Sequence, residues 1–501
     1  MSSTTRRDAL KVLGGGAASS FLFQGCGSKP TYPKPNVLFV MTDDQQHNEM
    51  SCAGHPILQT PNMDRLAKGG ARFQNAFCTN SLCAPGRATV LTGCLSNIHG
   101  IRGNSEMADK VEELNPDLPT FPQVLRDNGY HTGLMGKWHI RQNPRGFDDW
   151  NILPGQGVYN DPEFIHNGEK RQESGYATDI TTDFALDFLR KSASGGQPWC
   201  LVYQHKAPHR PFTPAERHAH LFDDIDWPKP STYDDDYATR RIAKEAEDMR
   251  FDISLASDYA DEMPKNLSAA AKKDWIFNRF VKDHHRATYG VDENLGRILD
   301  YLDQTGQAED TIIVFTTDNG FFLGEHGWYD KRFMYEPSLR IPLLIRYPRR
   351  FKGGQVPEGF AMNIDLAPTI LDAAGIAVPE QMQGRSLVPL LEGEAPSDWP
   401  KEAYYSYYEN SWAFRDMARE QMTDPSFAYW TAHRVGPHRG IRTDRYKLIE
   451  YYTEGPYWEL FDLQQDPDEL VNIYEEPSSQ PLIADLEPAL RRLQQHYGDN
   501  G

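Results

Sequence analysis

The sequence contains few cysteines for its length. Six in 501 residues cannot build the disulfide framework of a small secreted domain, whereas a chain of this length can bury a large apolar core. The six are Cys26, Cys52, Cys78, Cys83, Cys94 and Cys200. One bridge between Cys78 and Cys94 is compatible with an oxidising compartment, and the sequence leaves it undecided.

Basic residues are also in deficit. There are 52 lysine and arginine residues against 71 aspartate and glutamate residues, so the formal net charge is -19. This charge, without any basic run, argues against non-specific nucleic-acid binding, and no nucleic-acid partner is predicted. Because the overall field repels polyanions, any anion site must be built from local groups.

The N-terminus has no apolar run long enough for a membrane span. Instead, residues 1–33 show the layout of an export signal followed by a spacer: Arg6 and Arg7 precede a Gly/Ala-rich run that ends near Phe23, as in twin-arginine signals. We therefore predict an exported protein, periplasmic or at the cell surface, with Cys26 as a candidate residue for a lipid anchor. A disordered soluble tail is the alternative.

Four apolar, β-rich segments end in ionisable or amide side chains. NVLFVMTDDQ ends at Asp43 and Asp44, YHTGLMGKWH at Lys137 and His139, WCLVYQHKAPH at His205, Lys206 and His209, and TIIVFTTDNG at Asp318 and Asn319. Helical patterns lie between these segments, which predicts an α/β fold with a mostly parallel sheet flanked by helices. Ligands of such sheets bind beyond the carboxyl ends of the strands. We therefore expect these side chains to share one site, although DD and DN singly also begin turns or cap helices.

Changes in composition divide the rest of the chain. Residues 208–285 are acidic, helical and irregular, and form either an insertion over the site or a solvated face. After residue 402, GIRTDRYKLIEYY and YWELFDLQQDPDEL predict a small antiparallel sheet, and LIADLEPALRRLQQHYG predicts a terminal amphipathic helix. We predict a catalytic domain over 34–402 and an α+β subdomain over 403–501.

The segment CAPGRATVLTG carries the spacing Cys-x-Pro-x-Arg from Cys83 to Arg87. With TDDQ, GKWH, HKAPH and TTDNG in this order, it resembles the type I sulfatases over roughly residues 34 to 475. The resemblance implies an alkaline-phosphatase-like fold and a maturation enzyme that oxidises Cys83 to Cα-formylglycine. The formylglycine hydrate would attack the sulfur of a sulfate ester and then expel sulfate. Without the motif, Cys83 would be interpreted as a small buried hydrophobe.

The resemblance also assigns roles to individual residues. Asp43, Asp44, Asp318 and Asn319, with the modified Cys83, match the family's metal ligands, and their oxygen donors suit Ca²⁺ better than Zn²⁺. Arg87 would hold the hydrate, Lys137 and Lys331 would grip sulfate oxygens, His139 would assist the hydrate hydroxyl, and His209 would protonate the leaving alcohol. His205 and Lys206 would contact the substrate, or are ordinary polar residues at a strand end. Gly86 stands where many family members carry serine, and a small residue is expected to be tolerated there.

The flanking segments DKRFMYE, GYATDITTDFALDFL and HKAPHRPF look most like bacterial N-acetylglucosamine-6-sulfatases. This implies hydrolysis of a sulfated carbohydrate, at the 6-O-sulfate of N-acetylglucosamine or of a related glycosaminoglycan or mucin sugar. His438 and Arg439 are predicted to contact the sugar, with a solvated loop as the alternative. Because a fold supports many substrates, other functions stay open: a sulfatase for another polysaccharide (uronate 2-O-sulfate or an algal glycan), a phosphonate monoester or phosphodiester hydrolase, or an unmodified glycan-binding protein.

Overall fold

The computed structural model describes residues 33–104, 112–409, 432–453 and 455–500. Arg6, Arg7 and Cys26, on which the predicted export signal and lipid anchor depend, lie outside these residues. Residues Lys34–Gly501 form one compact unit, so the C-terminal segment is a subdomain of the same body. Among the described helices, none is long and apolar enough to cross a membrane.

The strands and helices are numbered in chain order. The strands are β1 (Asn36–Asp43), β2 (Ala71–Arg72), β3 (Ala76–Phe77), β4 (His131–Lys137), β5 (Asp149–Leu153), β6 (Glu163–His166), β7 (Glu169–Gln172), β8 (Trp199–Pro208), β9 (Thr311–Thr317), β10 (Phe322–Leu323), β11 (Tyr329–Asp330), β12 (Leu343–Arg346), β13 (Ala361–Met362), β14 (Glu402–Tyr407), β15 (His438–Thr443), β16 (Tyr446–Tyr451) and β17 (Tyr457–Asp462). The helices are α1 (Pro61–Gly69), α2 (Cys83–Thr92), α3 (Ser96–His99), α4 (Phe121–Asp127), α5 (Ala177–Gly195), α6 (Arg241–Glu245), α7 (Phe251–Ser254), α8 (Ala269–Gln304), α9 (Glu336–Leu339), α10 (Leu366–Ala373), α11 (Val388–Leu391) and α12 (Gln480–His496).

The main sheet has nine strands in the order β2-β12-β9-β1-β8-β4-β5-β6-β7. The four strands predicted from sequence are the neighbours β9, β1, β8 and β4, and they pair in parallel. The strands β12, β2, β6 and β7 add antiparallel edges. The predicted mostly parallel sheet is therefore confirmed, and the carboxyl ends of its four central strands meet along one edge.

Side-chain alternation along β1 separates two helical layers. Val37 and Phe39 belong to an apolar cluster that includes residues of α2, α4 and α10, whereas Leu38 and Val40 belong to a cluster that includes residues of α1, α5 and α8. A strand covered on both faces has to be apolar at every position, which explains the unbroken run that identified β1 in the sequence. Helices cover both faces of the sheet.

The region predicted as an insertion contains its own aromatic cluster. Phe212, Tyr233, Phe251 and Phe280 are buried against one another there, so the region is more than a solvated face. Helix α8 begins inside it, at Ala269, where the Ser268 side chain accepts a hydrogen bond from the backbone N–H of Ala271. The helix then runs without a break to Gln304, past residue 285 where the predicted insertion ends.

The C-terminal subdomain contains a four-stranded antiparallel sheet in the order β14-β15-β16-β17. Both sequence segments predicted as strands form part of it, and the terminal helix is α12. Leu486 and Leu490 of α12 join the same apolar cluster as Tyr404 of β14. This apolar contact accounts for the attachment of the helix to the sheet.

Candidate active site

Three carboxylates converge at the carboxyl edge of the main sheet. Asp43 and Asp44 stand at the end of β1, and Asp318 follows β9 directly. Strands β1 and β9 pair with Thr42 opposite Thr317, so the residues that follow lie side by side. One oxygen from each carboxylate lies within 4.8 Å of the others, and all three side chains are buried.

Helix α2 brings Cys83 and Arg87 to these carboxylates from one side. Cys83 is the first residue of the helix and Arg87 lies one turn later, so both project from the same face. The Cys83 Sγ atom lies 3.4 Å from Asp43 Oδ1 and 3.5 Å from Lys331 Nζ. Helix α2 therefore directs the thiol into the cluster.

Gly86 allows this close approach of helix and strand. A Cβ atom at residue 86 would lie closer to the Asp318 carbonyl oxygen than real Cβ atoms come to any neighbour. The glycine is therefore accommodated, as expected, whereas a side chain would meet a backbone oxygen that cannot rotate away. Glycine at this position fixes the distance between α2 and the end of β9.

Arg87 contacts the carboxylates and two strand ends. Its guanidinium lies 3.0 and 3.1 Å from Asp318 Oδ2 and 3.6 Å from Asp43 Oδ2. It also donates to the Lys137 carbonyl oxygen and to Gln204 Oε1, each at 2.9 Å. Arg87 therefore orders the predicted metal ligands, and Gln204 in turn holds Arg87.

Two lysines from different parts of the chain contact the carboxylates. Lys137, the last residue of β4, contacts Asp43 Oδ2 through its Nζ atom and donates to Gln156 Oε1 at 2.6 Å. Lys331, which follows β11, lies 2.6 and 2.8 Å from the two oxygens of Asp44. Each lysine is buried, so each ammonium group is held beside an opposite charge with little solvent.

The carboxylates differ in their electrostatic surroundings. Burial raises the pKa of Asp318 to about 7, and the neighbouring Asp43 adds to the rise. Burial alone would also raise the pKa of Asp43, but Lys137 and the other nearby cations outweigh it and lower the pKa well below its usual value. Burial and Asp43 raise the pKa of the Cys83 thiol well above its usual value. The unmodified thiol is therefore a poor nucleophile.

His209 and Lys206 lie on the same side as the carboxylates. His209 Nε2 is 3.8 Å from Asp44 Oδ2, and its Nδ1 atom donates to the Arg210 carbonyl oxygen at 2.6 Å. Burial and Lys137 lower the pKa of His209 well below its usual value, so the free ring is neutral. Lys206 Nζ lies 4.9 Å from the centre of the Tyr159 ring, and burial lowers its pKa to about 7.

Three of the predicted substrate contacts have other partners. His205 faces α5 together with Tyr203, because alternate residues of β8 face opposite layers, and burial lowers its pKa to about 3. His438 is buried among aromatic rings, including those of Tyr405 and Tyr451. Arg439 is on the opposite face of β15 and pairs with Glu450 at 2.7 Å. The structure therefore contradicts a sugar contact by the buried His205 and His438, whereas the role of Arg439, which is paired with Glu450, stays a prediction.

Two other expectations concern His139 and the cysteines. His139 follows β4 in a left-handed backbone conformation, with φ of 56°, and is half-buried; its assistance to the hydroxyl stays a prediction. Cys78 and Cys94 are both free thiols. The Sγ atom of Cys78 lies 3.1 Å from Ser81 Oγ, and that of Cys94 lies 3.1 Å from the Gln381 carbonyl oxygen. The bridge considered from sequence is therefore not formed.

The donor set at the strand ends fits a hard cation. Asp43, Asp44 and Asp318 offer carboxylate oxygens, and Asn319 Oδ1 is buried without a hydrogen-bond partner among the described residues. The amide nitrogen of Asn319 donates to Asp44 Oδ1 at 2.7 Å, which keeps the amide oxygen in the cluster. An unpaired buried oxygen is costly unless a cation or donor faces it. These residues therefore fit Ca²⁺.

Several residues of the site were not predicted from the sequence. Gln204, Gln156 and Asn104 each accept a hydrogen bond, from Arg87, Lys137 and the Ala84 backbone N–H respectively. A cavity opens above Asp44 and Lys331, and its walls include Arg210, Asp330, Arg332 and His433. They come from three separate segments of the chain, so only the folded chain brings them together. The sequence DKR, which contains Lys331, was the one signal for two of them, Asp330 and Arg332.

Comparison with characterised sequences gives the same family as the motifs. Residues 35–376 match the family described as Sulfatase, and residues 324–496 match N-sulphoglucosamine sulphohydrolase, C-terminal. The chain is 39% identical over 513 aligned residues to the N-acetylglucosamine-6-O-sulfatase of Bacteroides thetaiotaomicron, with 93% of this chain and 87% of that protein covered. It is 28% identical to the multifunctional alkaline phosphatase superfamily protein PehA of Trinickia caryophylli, with 90% and 93% covered.

A solved structure is similar over nearly the same length. It contains a protein in complex with its substrate, D-glucosamine-2-N,6-O-disulfate, and it superposes with a TM-score of 0.84 at 39% sequence identity. The similarity covers 93% of this chain and 99% of the other. Family match, sequence identity and fold agree with the converging cysteine, arginine and carboxylates, and the chain belongs to the sulfatase family of sulfuric ester hydrolases.

Proposed function

We propose that this sulfatase removes the 6-O-sulfate group of N-acetylglucosamine or a related glucosamine residue, with a Cα-formylglycine formed from Cys83 and one Ca²⁺ ion. A formylglycine-generating maturation enzyme is the partner that this chemistry requires. The hydrated aldehyde supplies a hydroxyl that attacks sulfur and a second hydroxyl whose deprotonation expels sulfate. The raised pKa of the Cys83 thiol supports this, since an unmodified thiol at this position would stay protonated.

The residues of the site can balance the charge of a bound sulfate. Each of the three carboxylates lies beside a cation: Asp43 beside Lys137, Asp44 beside Lys331, and Asp318 beside Arg87. A Ca²⁺ ion held by Asp43, Asp44, Asp318 and Asn319 would add two positive charges and neutralise the sulfate together with the nucleophile. A locally positive site of this kind overcomes the repulsion expected from the net charge of -19.

Lys137, Lys331 and His209 can then act on the substrate. The two ammonium groups can contact sulfate oxygens and stabilise the charge that develops on them. His209 is suited to donate a proton to the leaving alcohol oxygen. Because Lys137 helps to lower the pKa of His209, an anion bound beside the lysine would raise that pKa again, so protonation of the ring would accompany substrate binding.

The cavity walls suit the hydroxyl groups of a sugar ring. His433 Nε2 and Asp330 Oδ2 are 2.5 Å apart, and Arg332 donates to Glu409 at 2.8 Å. These pairs fix donors and acceptors in defined directions at the mouth. A 6-O-sulfate projects from the ring on an extra carbon, so it can reach the base of a narrow cavity while the ring stays at these residues. The similar proteins that act on glucosamine sulfates support the same substrate class.

The observation that carries the proposal is the convergence of Cys83, Lys137 and Lys331 beneath this polar cavity. Release of sulfate should be measured from monosaccharides and short oligosaccharides sulfated at the 2-O, 3-O, 4-O or 6-O position. We expect N-acetylglucosamine 6-O-sulfate to have the highest kcat/KM. A preference for a 2-O-sulfated uronate or for 4-O-sulfated galactose would contradict the substrate and leave the sulfatase family intact.

A matched pair of arginine variants tests the cavity mouth. We expect Arg332→Ala to lower kcat/KM for the sugar sulfate by about 10² or more, since it leaves polar groups unpaired, and to change p-nitrophenyl sulfate turnover far less. Arg439→Ala should change the rate on the sugar sulfate less than Arg332→Ala does, because Arg439 pairs with Glu450. Equal activity of Arg332→Ala and the parent on the sugar would contradict the assignment.

The similarity to PehA favours phosphonate monoester or phosphodiester hydrolysis as the second candidate. The site offers one set of cations to either anion, and the relative turnover of the two substrates separates the candidates. Turnover of phenylphosphonate above that of p-nitrophenyl sulfate would favour the second candidate. We expect the reverse order.

We also propose export to the periplasm or cell surface, with Cys26 as the lipid-attachment residue. The support is the position of Arg6 and Arg7 before an apolar run in the sequence. Fractionation of cells that express the full chain should recover activity outside the cytoplasm. An Arg6→Lys, Arg7→Lys double variant that is exported normally would contradict the twin-arginine route.

A further inference from the structure

Asp44, a proposed metal ligand, occupies a strained backbone conformation. Its φ is 69°, in the left-handed region that non-glycine residues rarely adopt. Strain of this kind persists only where neighbouring groups hold the backbone in place. The hydrogen bonds around residues 44 to 46 therefore show what keeps Asp44 aimed at the cluster.

Two of these hydrogen bonds come from β9 and its following loop. The Asp44 N–H donates to Asp318 Oδ1 at 3.2 Å, and the Gln45 N–H donates to Thr317 Oγ1 at 3.2 Å. These two bonds hold the backbone N–H groups of Asp44 and Gln45 against β9. The Asp44 carbonyl oxygen points away from β9 and accepts from a different element.

His284, in the middle of α8, donates to that carbonyl. Its Nε2 atom lies 3.1 Å from the Asp44 carbonyl oxygen, and its Nδ1 atom lies 3.0 Å from Glu49 Oε1. A carbonyl oxygen can only accept a hydrogen bond, so Nε2 is the donor to Asp44, and Nδ1 is paired with the Glu49 carboxylate. The other oxygen of Glu49 accepts from the Gln46 N–H at 2.7 Å. Glu49 and His284 therefore hold the turn at residues 44 and 46, and we call this pair of residues the clasp.

The two residues are buried and packed. Glu49 and His284 are fully buried, and the His284 ring stacks on Phe321, with ring centres 5.2 Å apart and an interplanar angle of 21°. Phe321 also lines the cavity above Asp44. Hydrogen bonds that orient a ligand from behind tune metal affinity by fixing the ligand's direction.

We propose that Glu49 and His284 are positioning residues for the metal centre, and that α8 sets the affinity for Ca²⁺ by holding the strained backbone of Asp44. This rests on the proposed Ca²⁺ site. It gives a role to a long helix whose residues are otherwise remote from the reacting atoms.

His285 provides a contrast within the same helix. Its Nδ1 atom donates to the Val281 carbonyl oxygen at 2.7 Å, and its Nε2 atom lies 3.1 Å from His55 Nε2. His55 Nδ1 accepts from two backbone N–H groups, so His55 Nε2 carries the hydrogen between the two rings. Glu49, His284 and His285 lie within 4.8 Å of one another, but these bonds occupy the ring nitrogens. We therefore interpret the cluster as a closed hydrogen-bond network and not as a second metal site.

Two substitutions at residue 284 separate positioning from packing. The amide nitrogen of His284→Gln can occupy the place of Nε2 and keep the bond to Asp44. The amide nitrogen of His284→Asn can occupy the place of Nδ1, which keeps Glu49 and loses Asp44. Both leave space in the core, so both should lower the melting temperature. Only His284→Asn should weaken Ca²⁺ binding strongly, by about 10- to 100-fold.

Glu49→Gln and His285→Gln complete the series. The glutamine amide at residue 49 has one acceptor oxygen, so it can serve His284 or the Gln46 N–H but not both, and Ca²⁺ affinity should fall by a smaller factor than in His284→Asn. His285→Gln should keep the parent affinity. The Ca²⁺ dissociation constant should be measured by isothermal titration of folded, chelator-treated protein. The kcat of each variant should be measured at saturating Ca²⁺, where we expect it to return to the parent value.

The outcomes are distinct. If the parent protein binds no Ca²⁺, both the proposed metal site and this inference are wrong. If both residue 284 variants bind Ca²⁺ with the same affinity as the parent, the clasp is wrong and the metal site stands. Equal loss in His284→Asn and His285→Gln would assign the effect to packing of α8 and would also overturn the clasp. Stoichiometric Zn²⁺ that disappears in His285→Gln would show that the cluster is a metal site instead.

Discussion

His209 and His438 are both buried histidines whose pKa burial lowers, yet they stand in different surroundings. His209 borders a cavity, and its Nε2 atom lies 3.8 Å from Asp44 Oδ2, in a cluster of carboxylates and lysines. His438 lies in the C-terminal sheet between tyrosine rings, and burial lowers its pKa to about 4. One ring faces reacting groups and the other faces packing partners.

The charged residues of the two regions differ in the same way. In the C-terminal region, Lys447 lies 2.6 Å from Glu469 and 2.9 Å from Glu336, which also pairs with Arg442. These groups neutralise one another. At the sheet edge, Asn319 Oδ1 is buried and unpaired within the described residues, and the carboxylates point at a common centre. The convergence of several donor oxygens on one centre, rather than burial or a shifted pKa, therefore distinguishes the active site.

The largest effect is expected at the nucleophile. Cys83→Ala should lower turnover by about 10⁴-fold or more, because alanine has no thiol for the maturation enzyme to oxidise and so no hydrate can form. The peptide that contains residue 83 should be about 18 Da lighter than its cysteine form in the parent enzyme, since a thiol is replaced by an aldehyde. Cys78→Ala, which changes a buried thiol outside the cluster, should keep most activity. Fully active enzyme with only thiol at residue 83 would contradict the mechanism.

Metal removal should have the next largest effect. Chelation should abolish activity and Ca²⁺ should restore it, whereas Asp318→Asn should stay below about 1% of parent activity even with Ca²⁺ added, because a ligand charge is missing. Asp365→Asn is the matched control: Asp365 is a buried carboxyl that accepts from the backbone N–H groups of Met362 and Arg385. It should lower stability and keep Ca²⁺ affinity. A requirement for Zn²⁺ would contradict the assignment.

Substitutions at His209 and His438 should then differ in their effect on activity. His209→Gln should lower kcat for the sugar sulfate by about 10² to 10⁴, the usual contribution of a general acid. The loss should be smaller for p-nitrophenyl sulfate, whose leaving group needs less protonation. His438→Gln should change kcat by less than about threefold, since its ring touches no reacting group. An equal loss on both substrates in His209→Gln would indicate a binding role.

The smallest effect is on stability at acid pH. The pKa of His438 is about 4 in the folded protein against 6.5 for a free histidine. The unfolded chain therefore takes up a proton first, and stability falls as the pH drops below about 6.5. Between pH 7 and pH 4.5 this one group should cost about 2 to 3 kcal/mol. The loss of unfolding free energy on acidification should be smaller by that amount in His438→Gln, and an unchanged loss would contradict the assignment.

The sequence was informative where local pattern and position in the sheet coincide. Unbroken apolar runs identified β1, β8 and β9, and parallel pairing carries Asp43 and Asp318 to the same edge. The error at His205 has a simple origin. Residues 204 and 205 of a strand face opposite layers, so the site receives Gln204 and the α5 layer receives His205. Alternation along β8 would have predicted both.

Other parts of the site depend on tertiary contacts that leave no pattern. Arg210, Arg332 and His433 meet at the cavity from separate loops. The steric role of Gly86 depends on a backbone oxygen more than two hundred residues away in the chain. His438 and Arg439 looked like loop residues before a hairpin, but β15 begins at His438, so one side chain enters the core and the other meets Glu450.

The burial of α2 has a consequence for the order in which residue 83 is oxidised and the chain folds. Every residue from Cys83 to Thr92 is buried, and an enzyme that oxidises residue 83 must first bind the segment around it. Under the proposed function, oxidation therefore precedes folding of this region, and a molecule that folds too early keeps its thiol permanently. The active fraction of a preparation would then depend on the rate of oxidation relative to the rate of folding. Slower synthesis, or a larger supply of the maturation enzyme, would increase that fraction.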